Sequence, residues 1–117
     1  MQIHGEQLDG DVYKINLEGR MDIAGNQEID LKFTGMTAAP RKFIIVDMFG
    51  VEFLASIGIR TLLLNAKAVN SRGGKLVILN PNENIEKILL TAGINVLIPI
   101  VNDLAAALAA FNQAESL

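Results

Sequence analysis

Val51-Glu52-Phe53-Leu54-Ala55-Ser56-Ile57-Gly58-Ile59-Arg60 joins two segments with different hydrophobic periods. Before it, Phe43-Ile44-Ile45-Val46-Asp47 is short, β-branched and aromatic, which predicts a buried strand over 42–47. After it, Ile59, Leu62, Leu63, Ala66 and Val69 recur at i, i+3, i+4, i+7 and i+10, the inner stripe of a helix over about 56–70. A strand that passes through a loop into a helix is half of a β-α-β unit and decides for an α/β fold. Ser56 then sits at or just inside the helix N-terminus. There, unpaired backbone N–H groups and the helix dipole favour an anion.

Toward the C-terminus, Ser71-Arg72-Gly73-Gly74 closes this helix with the glycine expected past a helix end. Lys75-Leu76-Val77-Ile78-Leu79 reads as another buried strand. Asn80-Pro81-Asn82 caps a short helix through Leu90, with Ile85, Ile88 and Leu89 facing inward and Gly93 at its end. Val96 to Val101 reads as a last strand, and Asn102 and Asp103 open a final helix with Leu104, Ala107, Leu108 and Phe111 inside. The tail from Gln113 to Leu117 is expected to fray.

Toward the N-terminus, residues 23–36 read as a helix carried by Ala24, Ile29, Phe33 and Met36, ending near Gly35 and before Pro40. Residues 2–8 and 11–17 form a hairpin about Asp9-Gly10. The order β-β-α-β-α-β-α-β-α predicts one α/β domain over 1–117. Its sheet is mostly parallel, with an N-terminal antiparallel edge hairpin and about four helices. In such a sheet, sites gather at the carboxyl ends of strands, which puts the loop after Asp47 and Ser56 on one rim.

At 117 residues the chain has room for one core. It has no cysteine, so disulfides and thiolate metal sites are excluded and a cytoplasmic location is expected. No apolar run approaches the ~18–20 residues of a membrane span. Gln2, His4 and Glu6 interrupt any signal-like start, and no membrane insertion is expected. A net charge of −3 and the lack of tryptophan argue against a nucleic-acid partner. His4 is the only histidine and builds neither a triad nor a metal site by itself. Neither G-x-G-x-x-G nor a Walker loop is present, which disfavours a nucleotide- or small-ligand-binding module, and no cofactor is expected.

Phe53-Leu54-Ala55-Ser56-Ile57-Gly58 resembles the Phe-hydrophobe-Asp-Ser-Ser/Thr-Gly signature of the STAS domain, specifically that of free-standing anti-sigma factor antagonists. Phe53, Leu54, Ser56 and Gly58 match in place. Ala55 stands where the family usually has Asp, and Ile57 where it has Ser or Thr. The resemblance implies a non-enzymatic regulator whose phosphoacceptor is Ser56. Its implied partners are an anti-sigma factor serine kinase of the histidine-kinase-like ATPase type and a serine phosphatase that resets the switch. Gly19-Arg20-Met21-Asp22 is similar to the family's Gly-x-Leu-Asp stretch after the second strand, which lies beside the phosphorylation site and helps bind the kinase. Asp47 stands where the family often has Asp or Asn. The same resemblance admits a docking subunit of a membrane transport or lipid-trafficking complex, using the same helix face without phosphorylation.

Read as residues alone, Ser56 is either an N-cap, worth ~1 kcal/mol, or a hydroxyl open to modification. Asp22 and Asp47 are turn or cap residues, or part of the site. Two carboxylates near one hydroxyl suggest acid–base chemistry, but no histidine accompanies them in the pattern, so a hydrolase is not expected. Ser56, Arg60, Leu64 and Lys67 fall at i, i+4, i+8 and i+11, a face roughly opposite the core stripe. With Asp22, Ala55, Ile57 and Gly58 they form the candidate partner-binding set, in which Leu64 and Ile57 are apolar anchors. Arg60 lies within reach of a phosphate on Ser56. Arg60→Ala should therefore weaken partner binding or phosphorylation while leaving the circular dichroism spectrum unchanged; a variant that binds and is phosphorylated like the parent contradicts this role.

Overall fold

In the two central strands, alternate side chains are apolar on both faces. The computed structural model, which describes residues 1–115, places Ile44, Val46 and Met48 of β3 (Phe43–Leu54) in one core and Ile45 in another. Leu76 and Ile78 of β4 (Lys75–Leu79) join the first core, Val77 and Leu79 the second. A sheet of this kind needs cover on both sides. The larger core is closed by α1 (Ile23–Thr37), α2 (Ser56–Ser71) and α3 (Glu83–Thr91), through Ile29 and Phe33, Leu62, Ala66 and Val69, and Ile85 and Leu89. The smaller is closed by Ala107 and Phe111 of α4 (Leu104–Glu115). The strands lie in the order β1-β2-β3-β4-β5, with β1 (Gln2–Gln7) antiparallel to β2 (Val12–Met21) and every other pair parallel. This is the α/β architecture expected of the sequence, edge hairpin included.

The central strand is longer than its apolar run suggests. It continues past Asp47 to Leu54 because β2 pairs with it as far as Met21↔Leu54, across two register shifts. Pairing with β4 stops at Asp47↔Leu79, and β1 reaches only Glu18. The ends of β2 and β3 therefore overhang the sheet as a two-stranded ribbon. The loop expected between strand and helix is this ribbon. Asp47 lies within β3, its Oδ1 accepting from the Phe49 N–H at 3.0 Å and its Oδ2 3.5 Å from the Lys14 ammonium. The strand runs on for seven residues after it, roughly 20 Å at ~3.3 Å per residue, so Asp47 does not share the rim with Ser56.

Three further expectations change. Val96 to Val101 is a 3₁₀ turn (Ile94–Val96) followed by a two-residue β5 (Ile100–Val101). Ile94 and Ile98 are both buried while Val96 is 91% exposed, a helical spacing rather than an alternating one. In α4, Leu104 and Leu108 point outward and the small Ala107 lets Phe111 reach the sheet, where its ring lies 5.3 Å from that of Phe43. Ala24 likewise faces solvent, and Gly25 and Asn26 take its inward place on α1. The helix α4 extends to Glu115; the last two residues of the tail expected to fray lie outside the described residues.

Phe33 is fully buried at the centre of the larger core, whereas Leu31 on the same helix is among the most exposed side chains. Phe33→Ala should lower unfolding free energy by about 3–5 kcal/mol in urea titration. Leu31→Ala should stay within about 0.5 kcal/mol of the parent.

Candidate functional site

The ribbon carries the backbone directly from strand into helix. The Ala55 N–H donates to the Met21 carbonyl at 3.0 Å, extending the β2–β3 pairing to the last residue before α2. Ala55 is the N-cap (φ −92°, ψ 168°), and its methyl group supplies no capping acceptor. Ser56 is thus the first residue inside the helix, exposed at the ribbon tip, and does not cap it. Of the two roles open to Ser56 in the sequence, the cap is removed.

Gly58 explains how the helix can start so close to the ribbon. It is buried, and a Cβ there would stand 2.8 Å from both Leu54 Cδ1 and Met21 Cγ. A side chain there would have to displace the Leu54 and Met21 side chains packed against it. Gly58 therefore faces inward and packs against Leu54 and Met21, unlike the exposed members of the candidate partner-binding set.

Parallel pairing places Arg20 opposite Phe53 and Met21 opposite Leu54, so Asp22 emerges beside Ala55. Asp22 caps α1: its Oδ1 accepts from the Gly25 N–H at 2.8 Å. Its Oδ2 lies 3.5 Å from Arg20 Nε, and the Arg20 guanidinium stacks 4.4 Å over the Phe53 ring. The Gly25 N–H bond, with Arg20 assisting, holds the Asp22 carboxyl below its ordinary value. The turn is tight, since a Cβ on Gly25 would fall 1.8 Å from the Arg20 carbonyl oxygen.

Along α2, Ser56, Arg60, Leu64 and Lys67 are all exposed, and Ile57 partly so. Ala55 is half-buried at the helix start. Ile57, Arg60 and Leu64 also form one wall of a groove of about 480 Å³ whose opposite wall is Asn26, Asp30 and Thr34 of α1. The structure thus gathers Asp22, Ala55, Ser56, Ile57, Arg60 and Leu64 around one end and side of α2, with Lys67 farther along. Sequence reasoning missed the α1 wall and the Arg20–Phe53 stack. Both depend on which segments become neighbours, and α1 carries almost no amphipathic signal to point to it. Among the described residues, no group of three His, Cys, Asp or Glu side chains is placed to hold a metal ion. What the site offers is an exposed hydroxyl on a contoured surface.

The STAS domain family model matches residues 6–107. This chain belongs to the STAS domain family. BtrV of Bordetella bronchiseptica, provisionally named an anti-sigma factor antagonist, is 23% identical over 114 residues, 97% of each chain. An anti-sigma factor antagonist from Mycobacterium paratuberculosis superposes with a TM-score of 0.84 at 20% identity, over 95% of this chain and 93% of that one. The phosphorylated form of the Bacillus cell fate determinant SpoIIAA gives 0.68 at 19% identity, over 90% and 96%. The STAS domain of a SulP transporter from Vibrio cholerae gives 0.65 at 25% identity, over 91% and 84%. The chain therefore has the fold of STAS anti-sigma factor antagonists, a family of regulators, and one shared with a transporter domain. None of its described helices is long and apolar enough to cross a membrane.

A carboxylate whose pKa is lowered by folding stabilises the fold fully above its unfolded pKa, here 3.8, and loses that effect as pH falls through the lower folded value. Asp22→Ala should therefore reduce the thermal midpoint at pH 7, and the gap to the parent should shrink as pH is taken below 3.8. A gap that stays constant across this window contradicts the capping geometry as its source.

Proposed function

We propose that this STAS protein is an anti-sigma factor antagonist whose binding to an anti-sigma factor serine kinase is switched by phosphorylation of Ser56. The observation that carries the reading is the position of Ser56. It is an exposed hydroxyl on the first residue of α2, held at the ribbon tip beside Asp22, at the place where the family signature has its phosphoacceptor. Unphosphorylated, the protein occupies an anti-sigma factor of the histidine-kinase-like ATPase type and frees a sigma factor. The partner uses ATP to modify Ser56, and a serine phosphatase restores the hydroxyl. The protein acts by binding rather than catalysis, and in the cytoplasm.

The local physics suits such a switch. A phosphate adds roughly −1.5 to −2 charge and three acceptor oxygens. The first turn of α2 has no side-chain cap, so its backbone donors and dipole accommodate that charge without unfolding the domain. Ala55, in place of the family's Asp, also removes a carboxylate that would repel it. The modification thus changes what the surface presents, and a hundredfold change in partner affinity needs only ~2.7 kcal/mol. Desolvating a dianion against an acidic or apolar partner supplies a penalty of that order.

The 25% identity to the SulP transporter domain, with Ala55 and Ile57 departing from the signature, favours a second reading. In it the same face docks onto a membrane transport or lipid-trafficking complex and Ser56 stays unmodified.

Intact mass after incubation with ATP and a candidate anti-sigma factor kinase from the same genome separates the two. The parent should gain one phosphate and Ser56→Ala none. No gain in the parent while the partner still binds would transfer the assignment to the docking reading.

A further inference from the structure

The sheet ends in two unequal edges. At one, β5 is two residues long; at the other, β1 is six. β1 carries neither proline nor lysine, and it pairs with β2 along its whole length without a bulge. Those are the devices that commonly keep an exposed edge from recruiting another strand. The Leu8 N–H donates to the Val12 carbonyl at 2.7 Å, which makes Leu8 and Val12 a hydrogen-bonded pair of the β1–β2 ladder. Bonded pairs alternate along an antiparallel ladder, so Gln2, His4 and Glu6 turn their backbone N–H and C=O groups toward β2. Ile3, Gly5 and Gln7 turn theirs outward, where no other strand stands beside them.

The side chains along this edge also alternate. Ile3 packs against the larger core with Ile15 and Leu17. His4 and Glu6 therefore lie on the other face of the sheet, across from Asn16 and Lys14 of β2, and both are exposed. Between them, Gly5 leaves its place on the core side to a neighbour. A Cβ there would fall on the Tyr13 hydroxyl, so the Tyr13 ring covers the position. The middle of the edge thus has no β1 side chain on one face and a histidine–glutamate pair flanking it on the other.

We infer that β1 pairs antiparallel with β1 of a second copy of this chain, about a two-fold axis at Gly5, so that two sheets join into one. In this register Gly5 meets Gly5 and Ile3 meets Gln7, and the outward groups of these residues make about six N–H···O bonds across the seam. His4 meets Glu6 twice, once on each side of the axis, in the non-bonded pairs where side chains approach most closely. Each contact sets an imidazole N–H against a carboxylate. A slip of two residues keeps the outward groups paired but loses this match. In one direction it sets Glu6 against Glu6, and in the other His4 against His4. The strand is therefore complementary to itself in one register, which is what selects a second copy as its occupant. An edge of six residues makes a small interface, so the association is weak and depends on concentration. The inference goes beyond the proposed function and does not depend on it.

The test is analytical ultracentrifugation of the unphosphorylated full chain over a range of concentrations, which should show a reversible monomer–dimer equilibrium. Gln7→Pro removes an outward N–H without removing a β1–β2 backbone bond, and should raise the dimer dissociation constant roughly tenfold or more. His4→Glu sets a second carboxylate opposite Glu6 and should do the same. Adding Glu6→Lys to His4→Glu restores opposite charges across the seam and should recover the dimer, a rescue that loss of β1 structure would not give. Lys87→Ala on α3 should associate like the parent, and the circular dichroism spectra of all variants should match it. A parent that stays monomeric, or a dimer that Gln7→Pro and His4→Glu leave unchanged, overturns the pairing. A double variant that fails to recover overturns the register. Each of these failures leaves the proposed function standing.

Discussion

The parallel pairing of β2 with β3 beyond the reach of their other neighbours is the constraint on which the site depends. The bond from the Ala55 N–H to the Met21 carbonyl is its last rung. It brings the two strand ends, and so the starts of α1 and α2, to a single place. Asp22 and Ser56 lie more than thirty positions apart in the chain, yet each follows its strand by one or two residues, so aligned strand ends make them neighbours. Gly25 and Gly58 serve the same purpose on the two sides. Each admits a close approach, to the Arg20 carbonyl in one case and to Leu54 and Met21 in the other, that a larger residue would block.

The two helix starts are chemically unequal. Asp22 gives α1 a capping carboxylate that ionises readily because a backbone N–H and Arg20 both favour its charge. Ala55 gives α2 nothing, leaving its first-turn donors without a side-chain acceptor. One helix end therefore holds a fixed negative group and the other is open to one.

The seam between α1 and α2 follows from the same layout. Three helices share one face of the sheet, and apolar packing there is concentrated beneath them in Ile29, Phe33, Leu62, Ala66 and Val69. Between α1 and α2 the contact is made by amides and threonines instead, and above it the exposed Ile57 and Leu64 remain uncovered. Ile57 and Leu64 thus gain little from the domain's own fold.

By itself the sequence determined the α/β class, the element order and the inner stripe of α2. Those depend on local period and composition: β-branched runs for the strands, 3.6-residue spacing for the helices, and glycine or asparagine at their ends. It also singled out Ser56, because a signature confined to six consecutive residues is a local feature. The tertiary structure decided whatever depends on pairing between distant segments. The extension of β3 to Leu54 came from β2, not from its own apolar pattern, and it removed Asp47 from the rim. The inward turn of Gly58 is set by Met21, thirty-seven positions away, and Leu104 and Leu108 turn outward because Ala107 and Phe111 are the side chains of α4 that meet the sheet. The α1 wall of the groove had no sequence signal, because the contacts that bury Asn26 and Thr37 are amide and hydroxyl contacts with another helix, to which a hydrophobic period is blind.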